Sequence, residues 1–166
     1  PEAMARKIAV AVAARRDPDF VIIARVDSRG VAGLDDAIRR GQRYREAGAD
    51  VIFPEGLESA EEFAAFARAV PGPLLANMTE FGRTPYLTLA EFAELGYRLV
   101  IYPMTAFRIA MKAVEAALAH LRATGSQRDL LERMQTREEL YALLRYEEYL
   151  RWDERVAGFE PPPPPP

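Results

Sequence analysis

Arg25, Asp27, Glu55, Asn77, Thr79, Glu80 and Arg108 stand within or just past the carboxyl ends of short apolar runs, FVIIARVDS, DVIFPE, PLLANMTE and LVIYPMTAFR. Together they offer guanidinium groups, amide and hydroxyl donors, and carboxylates. An arginine grips a carboxylate through two parallel hydrogen bonds, so two arginines converging on one place suit a ligand carrying several carboxylates. Glu55 and Glu80 would repel such a ligand unless a cation lay between them, and a divalent metal with oxygen ligands reconciles the two. Each residue also has a purely structural reading. Arg25 and Arg108 could be balanced by Asp27 or Glu55, because a buried charge must be paired whatever the function. Asn77 and Thr79 could satisfy loop backbone groups.

The runs recur about every thirty, then about every twenty-five residues, the repeat of strand-helix units. Each is nearly continuous in apolar residues, as a strand covered on both faces should be, which places the polar tails at the carboxyl ends of parallel strands. Strands are predicted over residues 20–26, 50–53, 74–77 and about 98–102. An amphipathic helix over 2–15 precedes them and stops at Asp17-Pro18-Asp19. A loop with Gly30 and Gly33 leads to a helix over 34–47 closed by Gly48, and capping boxes at Ser59/Glu62 and Thr88/Glu91 open helices reaching Val70 and Gly96. The junctions EAGADVIF and ELGYRLVI are near copies, which supports one repeated unit.

Beyond Pro103 the pattern is helical only. A long helix over Thr105–Thr124 carries Phe107, Met111, Val114, Leu118 and Leu121 as an apolar stripe, and a short helix over 127–134 follows. A capping box at Thr136/Glu139 opens the segment 137–156, whose Leu140, Tyr146, Tyr149, Leu150 and Trp152 are too much apolar surface to leave in water. Residues 160–166 read as extended polyproline without a catalytic role. Tyr102 and Phe107 are expected as core or pocket wall. His120, without an acidic group nearby in sequence, is expected at the surface.

With a net charge of −3 and basic residues interleaved with acidic ones, as in RRGQRYREAGAD, the chain has no electrostatic footprint for nucleic acid. It is 49% hydrophobic without an apolar run long enough for a membrane, so a soluble globular protein is expected. The absence of cysteine excludes disulfides, a thiolate nucleophile and cysteine metal sites within the chain. The first residues read as an Ala-rich helix rather than a signal peptide, giving a cytoplasmic expectation. A (β/α)8 barrel takes about 250 residues and eight strands, so four strands make either a small open α/β sheet or half of a barrel.

The runs VIIARVDS, GLDDAIRRGQRYREAGADVIFPE, LLANMTEFGRTPYLT, YPMTAFR and MQTREELY, in this order and spacing, resemble the carboxyl-terminal half of the 2-methylisocitrate lyases, a branch of the isocitrate lyase and phosphoenolpyruvate mutase superfamily. The likeness covers nearly all of residues 2–155, and ANMTEFG with TPYLT points to that branch more than to true isocitrate lyases. It implies an α/β fold of the (β/α)8 TIM-barrel type. This chain would supply strands five to eight over residues 1–125, then a helical segment over 126–158 exchanged between neighbouring subunits of a homotetramer, then a proline-rich tail over 159–166. The implied reaction is reversible cleavage of a C–C bond of 2-methylisocitrate to pyruvate and succinate, in the methylcitrate cycle of propionate catabolism, with Mg2+ holding the hydroxy-acid end.

The same resemblance implies site roles. Arg25, Arg108 and Arg137 would bind substrate. Asn77 and Thr79, with the Met78 backbone between them, would hold a substrate carboxylate, and Glu55 would lie near the metal and its waters without direct ligation from this chain. No catalytic residue is implied here: the family's magnesium-binding aspartates and its Lys-Lys/Arg-Cys-Gly-His loop would lie upstream of Pro1, so the chain alone is expected to be inactive. Three alternatives stay open: isocitrate lyase, another superfamily chemistry such as phosphonomutase or oxaloacetate hydrolase, and a non-catalytic half-barrel. A pocket for one methyl group is worth only about 1–3 kcal/mol, and the absent half would build part of it.

Overall fold

The computed structural model describes residues 1–158, so the predicted polyproline tail lies outside the described residues. The chain forms two compact units that divide between Met111 and Lys112, inside a long helix. In the first unit, α1 (Glu2–Ala14) is followed by β1 (Ile23–Val26), α2 (Arg29–Glu46), β2 (Val51–Pro54), α3 (Ala60–Ala69), β3 (Leu75–Asn77), α4 (Leu89–Glu94) and β4 (Leu99–Ile101). β1 pairs in parallel with β2, Arg25 opposite Phe53, and β3 with β4, Asn77 opposite Ile101. A parallel bridge from Ile52 to Leu74 joins the two pairs, so spatial order follows chain order. A doubly wound sheet would instead reverse direction partway.

Strand alternation sorts side chains between two faces. Ala24, Val26, Ile52, Leu74, Ala76 and Met78 are buried with Ile8, Phe63, Phe66, Val70 and Phe92 in one core. The rings of Phe63, Phe92 and Tyr97 meet edge to face at centroid distances of 5.2 to 5.9 Å, the arrangement their quadrupoles favour. The opposite face is bare at the outer strands, where Ile23, Leu99 and Ile101 are 46%, 42% and 37% exposed. Parallel strands apolar on both faces call for cover on both, and the two outer strands are covered on one, while Val51 and Leu75 of the central strands are buried.

The copied junctions in the sequence give copied geometry. Gly48 and Gly96 take φ of 101° and 96°, the left-handed backbone that ends α2 and α4. In both, the residue after the glycine donates its N–H back into the helix, Ala49 to Tyr44 and Tyr97 to Phe92. The next two amides then share one carbonyl at the start of the preceding strand: Asp50 and Val51 donate to Ile22, and Arg98 and Leu99 to Leu74.

Several boundaries differ from the sequence-based expectation. β1 begins at Ile23, opposite Val51 where its partner begins, which leaves Phe20 and Val21 nothing to pair with. There Asp50 accepts the Ile22 N–H at 2.8 Å and pairs with Arg15 at 2.8 Å. α2 starts one turn early, with Val31 and Ala32 donating to the Ser28 carbonyl, and Gly33 at φ 83° breaks that turn from the rest. The predicted capping box at α3 is half formed. Ser59 accepts from the Glu62 N–H, but the Glu62 carboxylate turns to the Glu58 N–H and Arg29. At α4 both arms of the Thr88/Glu91 box are present.

α5 (Thr105–Thr124) opens in the first unit and closes in the second at Gly125, φ 68°. A 3-10 turn (Arg128–Arg133), α6 (Arg137–Leu144) and α7 (Tyr146–Ala157) complete the second unit. Thr136 and Glu139 form both arms of a capping box, as predicted. The segment expected over 137–156 is broken at Arg145, whose φ of 52° turns the chain between α6 and α7. The α5 stripe and the apolar side chains of α6 and α7 are exposed. Tyr102 and Phe107 are exposed as well, not the core or wall expected, because the described residues bring no surface over them.

Candidate active site

Two clusters form at the carboxyl ends of the strands. In the first, alternation along β1 turns Arg25 to the bare face with Ile23, and its guanidinium lies 5.3 Å from the centre of the Phe53 ring opposite in the ladder. Arg25 Nε donates to Asp27 Oδ1 at 2.8 Å, and Glu55 Oε2 lies 3.6 Å from Arg25 Nη2. The bond to Asp27 raises the Arg25 pKa, with Glu55 adding and burial opposing. Glu55 also accepts from Asn77 Nδ2 at 3.3 Å, and its own N–H donates to the Val26 carbonyl, which fixes its backbone at the strand end. Asn77 Oδ1 is buried without a partner. Asp27, Arg25, Glu55 and Asn77 thus form one polar chain across β1, β2 and β3.

The second cluster joins the loop after β3 to the start of α5. Thr105 Oγ1 donates to Glu80 Oε1. Arg108 Nε lies 3.4 Å from Glu80 Oε2, and both atoms are buried and lack an aligned hydrogen bond. The Thr105 bond holds the Glu80 carboxyl below the usual carboxylate range, helped by its own backbone N–H and by Arg108 against burial. Arg108 also stands 5.0 Å from the centre of the Phe81 ring. Phe81 has φ 62°, is 82% exposed, and donates its N–H to Tyr86 Oη at 3.1 Å.

The loops bearing both clusters are stapled together. Arg29 pairs with Glu58 at 2.6 Å and with Glu62, Arg83 pairs with Glu58 at 3.2 Å, and Thr84 Oγ1 donates to the Leu57 carbonyl at 2.9 Å. The Arg29 bond is the main cause of a lowered Glu62 pKa.

The structure therefore brings Arg25, Glu55 and Asn77 together, and separately Glu80 with Arg108. Each glutamate expected to repel an anionic ligand is answered by its own arginine, which removes much of the reason for a cation between them. Among the described residues no cluster of three acidic, histidine or cysteine side chains exists, so these residues do not make a magnesium site by themselves. The Met78 N–H donates to the Ile101 carbonyl at 2.8 Å, and its side chain is buried. Thr79 is half-buried beside Asn77. Arg137 opens α6 in the second unit and is exposed. His120 is not the isolated surface histidine expected: its side chain is half-buried, and the 3-10 turn brings Asp129 Oδ2 to 3.8 Å from its buried Nε2. Thr105 and Phe81 are site residues beyond those the polar strand ends mark. The Thr105/Arg108 spacing, which puts both on one helix face, is a signal for the first. A left-handed phenylalanine leaves no signal for the second.

Parallel strands in chain order, with arginines, acids and an amide at their carboxyl ends, define an α/β protein whose polar groups gather at the strand ends. The chain matches the phosphoenolpyruvate phosphomutase family over residues 1–122 and belongs to that family. It is 52% identical over 157 residues to the 2-methylisocitrate lyase of Aeropyrum pernix, a match covering 95% of this chain and 50% of that protein. The resemblance drawn from the motifs is borne out at that level: the chain is a homologue of the 2-methylisocitrate lyases. Among solved structures it is similar to 2,3-dimethylmalate lyase, a PEP mutase/isocitrate lyase superfamily member (TM-score 0.82, 34% identity, 93% of this chain and 55% of that one). It is also similar to phosphonopyruvate hydrolase in complex with oxalate and Mg2+ (TM-score 0.79, 36% identity, 93% and 55%). The chain spans about half the length of the curated relatives it matches. Among the described residues no helix is long and apolar enough to cross a membrane.

Proposed function

We propose that this chain is the carboxyl-terminal half of a cytoplasmic (β/α)8-barrel lyase that cleaves 2-methylisocitrate to pyruvate and succinate. The observation that carries the reading is the polar chain Arg25–Glu55–Asn77 at the strand ends, in a sequence 52% identical to a 2-methylisocitrate lyase. Sequential parallel order with Ile23, Leu99 and Ile101 bare on the outer strands supports barrel closure, because a sheet closed on itself covers its inner face and removes its edges.

In this reading Arg25 and Arg108 grip substrate carboxylates. Asn77, Met78 and Thr79 form the strand end beside one of them, with the unpaired Asn77 Oδ1 free to accept from a substrate hydroxyl or a water. Arg137 joins from the C-terminal helices, whose exchange between subunits of a homotetramer would cover the apolar surface of α6 and α7. The other half supplies the metal ligands and the catalytic cysteine loop. Mg2+ would supply Lewis acidity for the hydroxy-acid end when bound, and Glu55 is the residue of this chain that would stand toward it and its waters. The arginines and donors are held in place before substrate arrives, which is what stabilises charge developing in the transition state. The chain alone is inactive. A hydrolase of the phosphonopyruvate or oxaloacetate type is the second reading, favoured by fold similarity at lower identity.

The test is steady-state kinetics of the full-length protein carrying this chain, with Mg2+ and 2-methylisocitrate, oxaloacetate and phosphonopyruvate offered separately. Preferred turnover of 2-methylisocitrate is expected. Arg25→Ala or Arg108→Ala each removes charge-assisted hydrogen bonds worth about 1.5–3 kcal/mol, roughly a tenfold to hundredfold fall in kcat/KM. Wild-type kinetics in both variants would sink the assignment.

A further inference from the structure

We infer that Glu80 is the positioning residue for Arg108, holding its guanidinium against the Phe81 ring so that the outer edge faces the ligand. The inference rests on the reading of Arg108 as a substrate-binding residue. Arginine has a long flexible stem, and the Arg108 side chain is 40% exposed, so without fixed contacts its charge would sample many positions. Glu80 supplies one contact, and its closest approach is to Nε, the inner nitrogen, which leaves the outer edge of the fork for a ligand carboxylate.

Glu80 is itself oriented. Its other oxygen takes the hydroxyl of Thr105, which lies on the same face of α5 as Arg108. Phe81 supplies the second contact in a backbone conformation that bulky residues rarely adopt, fastened by its N–H to Tyr86 Oη. That conformation leaves the ring exposed and spends it on Arg108. A related arrangement occurs at Arg25, whose guanidinium stands over Phe53 with Nε donating to Asp27, although there Nη2 also lies 2.7 Å from Asp27. Two arginines each set beside an acid and backed by an aromatic ring argue for a purpose beyond charge balance, since charge balance needs no ring.

The experiment is a double-mutant cycle in the full-length enzyme, reading kcat, KM for 2-methylisocitrate and the thermal midpoint. Glu80→Gln keeps the shape and an acceptor for Thr105. It is expected to lower kcat/KM roughly tenfold to hundredfold, the range for losing a group that orients a site residue, with the midpoint close to the parent's. Added to Arg108→Ala it is expected to cost nothing further. Phe81→Leu, which keeps an apolar side chain, is expected to give a smaller loss that also vanishes in the Arg108→Ala background. Parent-like kcat/KM in Glu80→Gln, or losses that add fully to those of Arg108→Ala, overturn the inference and leave the lyase reading standing. Parent-like kinetics in Arg108→Ala overturn both.

Discussion

Gly41→Ala offers a test of sign, because two effects oppose one another at that position. Alanine is the better helix former by about 1 kcal/mol, so the substitution on α2 should stabilise if nothing is in the way. A Cβ at Gly41 would lie 2.7 Å from Phe66 Cζ and 3.0 Å from Val70 Cγ2 on the α3 side. Both of those residues are fully buried at 0% exposure and cannot swing into solvent. Forcing an extra methyl into such a contact costs about 1–3 kcal/mol, and the 2.7 Å approach belongs at the upper end of that range. The net expectation is destabilisation by about 1–2 kcal/mol, a fall in melting temperature of roughly 2–8 °C for a protein of this size. Gly30→Ala is the control, since a Cβ there meets nothing within 4 Å, and it should be neutral or stabilising by up to about 1 kcal/mol. Urea unfolding followed by far-UV circular dichroism measures both, comparing midpoints at equal slope. A Gly41→Ala protein as stable as its parent would refute the packing argument.

Two further outcomes follow from charge and capping. Glu62 is held below the usual carboxylate pKa chiefly by Arg29, so between its folded and unfolded pKa values the unfolded chain binds more protons. Its stabilising contribution is complete above the unfolded value of about 4.3 and is lost as pH falls through the folded one. Glu62→Gln should flatten the acid limb of a melting-temperature profile, and an unchanged limb would show that the Arg29 contact contributes nothing. Thr88→Ala removes the side-chain arm of the capping box at α4, leaving the backbone N–H of residue 88 to the Glu91 carboxylate, and should destabilise by about 1 kcal/mol in the same urea assay; an unchanged midpoint would count against the cap.

The parts of the fold that sequence exposes are those controlled by neighbours in the chain. The Thr105–Thr124 helix, the boxes at Thr88 and Thr136, and the glycine junctions at Gly48 and Gly96 were legible because propensity, caps and backbone freedom act locally. The start of β1 was not, because it depends on where β2 begins rather than on Phe20 and Val21. At α3 the Ser-x-x-Glu pattern was present, yet Glu62 found a stronger partner in Arg29, distant in sequence. The site residues Arg25, Glu55, Asn77 and Arg108 were legible as polar interruptions of apolar runs. Their pairing was not, since the sequence does not reveal that Glu80 reaches Arg108 or that Phe81 turns its ring onto the same guanidinium. His120 met Asp129 through the turn that closes α5, a contact that helical spacing alone does not suggest.

The two bare outer strands also bear on how such a molecule assembles in time. β1, β2, β3 and β4 each pair with the next strand along the chain, contacts of short loop length that form readily. In the proposed barrel, where these are strands five to eight, β1 joins the strand just before it in sequence and β4 joins the first strand, far away, so the β4 edge would be the last to be satisfied. Until then it presents unpaired parallel backbone beside Leu99 and Ile101, a template that a second unfinished copy can occupy. Yield on refolding should therefore fall with protein concentration, and the rate of edge closure sets how long that exposure lasts.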